Sequence, residues 1–152
     1  MSFSCRRKVF VIVSTAASLA LGTSCAFADA TADIACFMSD TRSPIHFEMR
    51  TYYDRDIHFS FASIKYAKAK TANPIVLQSD SARGQGGGQP DEITTTWLEV
   101  VGGAVSGSYR MVQRGTNVDS MVYTNFKTKK TVPFLLDTHV DSTLENGCAW
   151  ER

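Results

Sequence analysis

Hydrophobic and polar residues alternate along much of the chain, and this period of two predicts β-strands. In residues 45–53 the odd positions are mostly apolar and the even positions mostly polar, which is typical of a strand with one buried face. Asp54–Asp56 interrupts the alternation, and Phe59 and Phe61 resume it on odd positions. A hairpin that sets Thr51 opposite Phe59 and Met49 opposite Phe61 would bring both apolar sets into one core.

The rest of the chain repeats this arrangement of short strands and turns. After Phe61 the apolar positions become even, which favours a strand with a bulge over a short helix in residues 63–70. Gly102–Gly103 is typical of a tight hairpin turn, and Gly107 either makes room for a large neighbour such as Trp97 or marks a bend. About seven or eight strands and no convincing amphipathic helix predict an all-β fold, an antiparallel barrel or sandwich.

The first 28 residues have the three parts of a secretory signal peptide. A positive start, Arg6–Lys8, precedes an uncharged apolar stretch that is too short for a convincing membrane anchor, and small residues surround Ala28. We therefore expect cleavage after Ala28, or after Ala30 as the second choice. Residues 29–152 are then a single all-β domain that is periplasmic or secreted and has no membrane span.

Charge argues against nucleic acid as a partner. The signal contains three of the 16 Lys and Arg residues, so residues 29–152 carry 13 against 15 Asp and Glu, a formal net charge of −2. Nucleic-acid-binding domains have a basic excess instead.

Cysteine usage predicts one disulfide. Two of the four cysteines belong to the signal, and an oxidising compartment favours pairing of the remaining two, Cys36 and Cys148. Such a bridge would join the first strand to the final segment and so close the β-shell, shielding its two free edges. Neither cysteine has a further Cys or His at the spacing of metal ligands, so no metal site is predicted.

The segment Ser81–Pro90 contains four of the chain's glycines and is expected to be a mobile surface loop. A phosphate-binding loop is excluded because no Lys-Ser/Thr follows and the next segment is strand-like. Rigid barrels often present such loops for recognition. Its polar members, Arg83, Gln85 and Gln89, are therefore candidate binding residues.

The Asp137-x-His139-x-Asp141 segment is the clearest candidate for chemistry. On an extended strand the three side chains would share one face, with about 7 Å between successive members, and the carboxylates would raise the pKa of His139. The residues that follow are turn formers, however. The favoured interpretation is a solvated loop that leads to the disulfide, and an active site is the alternative.

The remaining histidines, His46 and His58, lie too far apart in the predicted hairpin for one metal ion and are expected at the surface. Arg50, Tyr52 and His58 form a candidate recognition patch on the outer face of the sheet. The alternative is that they are ordinary solvent-exposed side chains on the outer face of the sheet, with no role in binding.

These features favour an exported binding protein over an enzyme, with no cofactor and with an envelope or extracellular protein as partner. The architecture is similar to that of periplasmic lysozyme-inhibitor barrels, which are small, exported and disulfide-bearing, although none of their sequence motifs is present. That similarity implies inhibition of a foreign hydrolase. One alternative is a calycin-like carrier of a small apolar ligand, with aromatic residues lining its cavity: Phe47, Phe59, Phe61, Tyr109, Phe126 and Phe134. A second is a small hydrolase that uses His139 with Asp137 and Asp141.

Overall fold

Eight antiparallel strands form a closed barrel in the computed structural model, which describes residues 30–150. The all-β prediction is confirmed, and the architecture is a barrel, not a sandwich. The strands are β1 (Ala30–Ser39), β2 (His46–Asp54), β3 (Phe59–Tyr66), β4 (Asn73–Arg83), β5 (Glu92–Val101), β6 (Ala104–Arg114), β7 (Asn117–Asn125) and β8 (Thr131–Leu136), and a separate two-stranded hairpin follows, β9 (Ser142–Thr143) and β10 (Gly147–Cys148). The predicted signal peptide, residues 1–28, lies outside the described residues. Across residues 30–150, no helix has the length and apolar character needed to cross a membrane.

The hairpin turns have the chemistry that the sequence predicts. Gly102 and Gly103, with φ of 60° and 80°, form the two-residue turn between β5 and β6. Only glycine adopts two such successive left-handed conformations without strain, and this turn geometry matches the twist of the flanking strands.

The predicted register of the β2–β3 hairpin is wrong. Thr51 pairs with Ala62, not Phe59, and Met49 pairs with Ile64, not Phe61. As a result Ala62 and Ile64 are buried, whereas Phe59 and Phe61 are exposed on the outer face. The even positions of β3 face the core along the whole strand, and its pairing with β2 has no register shift, so the predicted bulge is absent. The strand predicted over residues 63–70 is present only as far as Tyr66.

Gly107 makes room for a large neighbour, as predicted, but that neighbour is Tyr123 and not Trp97. A Cβ at Gly107 would lie 2.6 Å from the Tyr123 ring and 2.6 Å from the Thr124 carbonyl oxygen. The glycine therefore allows β7 and the Tyr123 side chain to approach β6 closely.

One half of the barrel interior is filled by aromatic side chains. Phe47 is fully buried at the centre of this cluster and contacts the rings of Phe37, Tyr109 and Phe134 at centroid distances of 5.1, 5.6 and 4.8 Å. Such packed aromatic pairs stabilise the fold by more than their buried apolar area alone would give. This half has the character of an ordinary core.

A buried carboxylate completes the filled half. Glu99 accepts hydrogen bonds from Tyr109 at 3.1 Å, from Tyr123 at 2.8 Å and from Ser106 at 2.6 Å, and the Tyr66 and Tyr109 hydroxyls are 2.6 Å apart. Burial raises the pKa of Tyr109 and Tyr66, and burial followed by the bond to Glu99 raises the pKa of Tyr123 to about 12. The carboxylate thus has the several donors that a buried charge requires.

The strands themselves close the barrel, whereas the disulfide had been predicted to do so. Phe37 pairs with Leu136 and Ser39 with Phe134, which joins β1 to β8. The predicted bridge between Cys36 and Cys148 is confirmed, with a Cα–Cα distance of 6.0 Å. It lies on the outer face of β1, where it fastens the C-terminal segment (residues 137–150) across β1 and β2.

Polar contacts from β2 help to hold the C-terminal segment. Buried Glu48 accepts a hydrogen bond from the Cys148 backbone N–H at 3.0 Å and pairs with Arg50 at 3.0 Å. Arg50 also donates to the Leu144 carbonyl oxygen at 2.8 Å. Gly147, with φ of 80°, lies so close to Glu48 that a Cβ there would collide with the carboxylate. The segment is therefore anchored by one covalent bond and by two hydrogen bonds from β2, and the Glu48–Arg50 pair orients the side chains that make them.

Candidate functional site

The barrel wall is incomplete at one end. β8 ends at Leu136, so it pairs with β1 only from Phe37 to Ser39 and with β7 only from Met121 to Thr124. The first part of β1 and the first part of β7 consequently have no strand between them. This leaves a gap in the wall at the end of the barrel opposite the Glu99 network.

A cavity of about 590 Å³ lies behind this gap. Its walls come from the inward faces of β1, β2, β5, β6 and β7, from Ile34 and Cys36 on the outer face of β1 beside the gap, and from Leu136 and the start of the C-terminal segment. The apolar part of the lining comprises Ile34, Ala35, Met49, Trp97, Met111, Val118, Leu136 and Val140. A volume of this size is in the range of small-molecule sites, which are concave and mostly apolar with a few polar groups.

The filled and hollow halves of the barrel differ because their inward-facing side chains differ in size. At the filled end β1 and β2 contribute Phe37 and Phe47, whereas further along the same faces they contribute Ala35 and Thr51. Smaller side chains on strands at similar spacing leave space between them. The small side chains of Ala35 and Thr51 therefore contribute to the space in the hollow half.

Two residues of the cavity lining each have a buried polar atom without a partner. The indole Nε1 of Trp97 and the hydroxyl Oγ1 of Thr95 have no hydrogen bond, and both residues lie on the inward face of β5. Among the described residues only one further buried side-chain atom is in this condition, Nδ1 of His46, which lies elsewhere. Two of the three unsatisfied groups therefore belong to one cavity.

The charged residues of the cavity lining are acidic. Asp33 and Asp137 contribute carboxylates, and the lining contains no Lys, Arg or His. The other polar members are neutral hydroxyl and amide side chains: Thr51, Thr95, Gln113, Thr116, Thr138 and Ser142. The field at this site therefore opposes anions.

A second concave site lies on the outside of the barrel, between the C-terminal segment and the strands β2 and β3. This open groove of about 1040 Å³ brings together His46, Glu48, Asp137, His139 and Asp141. Of the described Cys, His, Asp and Glu residues, no three are placed so that they could hold a metal ion. His46 lies on the outside of the barrel, where it is half-buried against the Trp150 ring at a centroid distance of 4.8 Å.

The Asp137–Asp141 segment is a turn and not the extended strand on which a shared face depends. Asp137 Oδ1 accepts a hydrogen bond from the His139 backbone N–H at 3.1 Å, and His139 and Asp141 are exposed. This is the local turn chemistry of aspartate. The favoured interpretation of a loop leading to the disulfide agrees with this geometry.

The predicted patch of Arg50, Tyr52 and His58 is divided among three surroundings. Arg50 holds the C-terminal segment, as described above. The Tyr52 ring is 6.0 Å from that of Phe61 on the outer face. His58 lies in the β2–β3 turn with φ of 51°, and its Nδ1 is 3.0 Å from the Tyr53 hydroxyl.

The glycine-rich segment is at the same end of the barrel as the cavity. Ser81–Arg83 belongs to β4, so the connecting loop is shorter than predicted and covers residues 84–91. Arg83, Gln85 and Gln89 are all exposed there. The loop reaches the β6–β7 turn, because a Cβ at Gly115 would lie 3.6 Å from Pro90, and Gly115 lines the cavity.

The residues that form the cavity are not among the site residues predicted from the sequence. The cavity is lined by Ala35, Thr95, Trp97, Met111 and Val118, none of which is a predicted site residue. A signal was present, since small or flexible side chains at inward positions of one barrel end indicate a poorly filled interior. The strand alignment in the structure is needed to see that these side chains lie together at one end of the barrel. Of the aromatic residues proposed as cavity lining, Phe47, Tyr109 and Phe134 fill the core, and Phe59, Phe61 and Phe126 are exposed.

Comparison with known proteins adds no family. No family model, no curated protein and no solved structure matches this chain.

Proposed function

We propose that the protein binds a small, mainly apolar molecule inside the barrel cavity, in the manner of a calycin-type carrier. The observation that carries this proposal is the cavity of about 590 Å³ at one end of a barrel whose other end is tightly filled. Large apolar cavities are costly to maintain, since each lost methylene contact destabilises a core. A bound apolar molecule would recover that loss.

The surrounding structure suits entry of such a molecule. The gap between β1 and β7 gives access from outside, and the C-terminal segment borders it with Val140 and Ser142. Because a disulfide and backbone pairing fix both sides of the opening, the site is largely preformed. Preformed sites lose less entropy on binding. The expected export signal would place this activity outside the cytoplasm.

Filling the cavity is expected to abolish binding. Ala35→Phe puts a ring into the space between Met49 and Trp97, and we expect it to weaken binding of the apolar fluorophore 1-aminoanthracene at least tenfold. The enhancement of the probe's fluorescence measures the binding. Ala32→Phe is the matched control, because Ala32 lies on the opposite face of the same strand. Equal binding by both variants, or no binding to the wild-type protein, would contradict the proposal.

A second candidate function, protein binding, is favoured by an apolar surface on the β2–β3 hairpin. Ile57 and Phe59 are 69% and 57% exposed, and Phe61 and Tyr52 are exposed beside them. Clusters of exposed apolar residues of this kind mark interaction sites. The surface is consistent with an inhibitor of a foreign hydrolase, for which the barrel architecture suggests lysozymes.

This second function has its own test. If the hairpin docks on lysozymes, the wild-type protein inhibits peptidoglycan lysis by at least one lysozyme class, and Phe59→Ser with Phe61→Ser raises the inhibition constant at least tenfold. Val105→Ser is the control, since Val105 is 48% exposed outside the hairpin. A panel of animal and phage lysozymes that remains fully active would remove this candidate.

A further inference from the structure

We infer that the ligand of the cavity is uncharged and carries a hydrogen-bond acceptor, such as a ketone, ester or amide oxygen, on an otherwise apolar body. This inference rests on the proposed function and specifies the chemistry of the same site. It follows from the unpartnered groups of Trp97 and Thr95 and from the charges around them.

The unpartnered groups call for an acceptor. A buried donor without a partner costs about 1–3 kcal/mol, and nearly all buried polar groups in folded proteins have one. The contrast within this barrel is direct, because the buried hydroxyls around Glu99 are all bonded, whereas Trp97 Nε1 and Thr95 Oγ1 are not. The indole N–H is a donor only, so any partner for it must be an acceptor.

Both residues line the same cavity, so a ligand that enters it meets both side chains. Trp97 and Thr95 are two residues apart on the inward face of β5, a separation of about 7 Å along the strand. No hydrogen bond holds the Thr95 hydroxyl in its present direction, so it is free to turn towards an incoming oxygen atom. The apolar neighbours Met49 and Met111 have flexible side chains that adapt to different shapes.

The acidic residues exclude an anionic acceptor. A carboxylate or phosphate in this cavity would be desolvated with no cationic side chain in the lining and with Asp33 and Asp137 nearby. Burial of an unpaired charge is far more costly than one neutral hydrogen bond can offset. The cavity is therefore built for a neutral carbonyl compound and against fatty acids.

Three probes of nearly equal shape test this inference: 2-acetylnaphthalene, 2-isopropenylnaphthalene and 2-naphthoate. The first has a ketone oxygen where the second has a methylene group, and the third is an anion. We expect the ketone to bind about five- to tenfold more tightly than the alkene and at least tenfold more tightly than the carboxylate. Titrations followed by NMR of the ¹⁵N-labelled protein give all three affinities.

The same spectra report the hydrogen bond itself. The chain has two tryptophans, so two indole N–H signals are expected, and Trp150→Phe identifies that of Trp97. The ketone should move the Trp97 signal downfield, and the alkene should not. Thr95→Val should reduce the preference for the ketone, whereas the control Thr96→Val, on the opposite face of β5, should preserve it.

The outcomes separate the two proposals. Equal affinity for ketone and alkene, with no downfield shift, would overturn the inference and leave the apolar cavity function intact. Tighter binding of the carboxylate would overturn the requirement for a neutral ligand. If neither neutral probe binds, the proposed function fails together with the inference.

Discussion

Replacing both Cys36 and Cys148 with serine is expected to lower the free energy of unfolding by about 4–5 kcal/mol. The bridge spans 112 residues, and closing so long a loop removes much conformational entropy from the unfolded chain. A typical domain has a net stability of only about 5–15 kcal/mol. Urea unfolding of the variant and the wild-type protein, followed by circular dichroism, measures the difference.

Reduced wild-type protein is the control for the disulfide prediction. It should unfold at the same urea concentration as the double serine variant, which would show that the lost bond and not the serine side chains is responsible. A difference below about 1 kcal/mol between oxidised and reduced protein would contradict the chain-entropy account. The barrel itself should persist in mild conditions, because β1 and β8 are joined by backbone pairing.

Glu99→Leu is expected to lower the free energy of unfolding by about 3 kcal/mol. The substitution removes the acceptor for Ser106, Tyr109 and Tyr123. Hydrogen bonds to a charged group are worth about 1.5–3 kcal/mol each, and buried hydroxyls left without a partner add a penalty. The variant no longer pays the desolvation free energy of a buried carboxylate, and this offsets part of the lost stability. Chemical unfolding at neutral pH measures the balance.

Two further variants show whether the lost hydrogen bonds to Glu99 cause the expected loss of stability. Glu92 lies on the same strand as Glu99, and Glu92→Leu breaks its surface ion pair with Arg114 of β6, so it should cost less than about 1 kcal/mol. In a background that also carries Tyr109→Phe and Tyr123→Phe, Glu99→Leu should lower the free energy of unfolding much less, since fewer hydroxyls lose their acceptor. Unchanged stability in the single Glu99→Leu variant would mean that the network contributes little to the fold.

The fold class was predictable because alternation and turn chemistry act locally. Residues close in sequence are enough to predict the Gly102–Gly103 turn and the strand positions. Simple elimination predicts the disulfide, since Cys36 and Cys148 are the two cysteines left after the signal. The β2–β3 register was not predictable in this way. An alternation rule places Phe59 and Phe61 in the core, but the turn leaves them outside, and no local signal separates a core aromatic from a surface one.

The candidate site depends on features that become visible only in three dimensions. The gap arises because β8 stops at Leu136 while β1 and β7 continue past it, a mismatch of lengths between strands far apart in sequence. Likewise, Thr95 and Trp97 are ordinary strand residues until their surroundings are known. Candidate residues chosen by chemical type, such as His139 and Asp141, proved to be exposed residues of a turn region.

The position of Cys148 makes the cavity entrance, and not the barrel, the part that responds to oxidation. Backbone pairing joins β1 to β8, so the barrel closes with or without the bond between Cys36 and Cys148. The C-terminal segment, which forms one side of the cavity opening through Asp137, Thr138, Val140 and Ser142, depends on that bond for its covalent attachment. A reducing environment would therefore loosen the entrance while the scaffold stays closed.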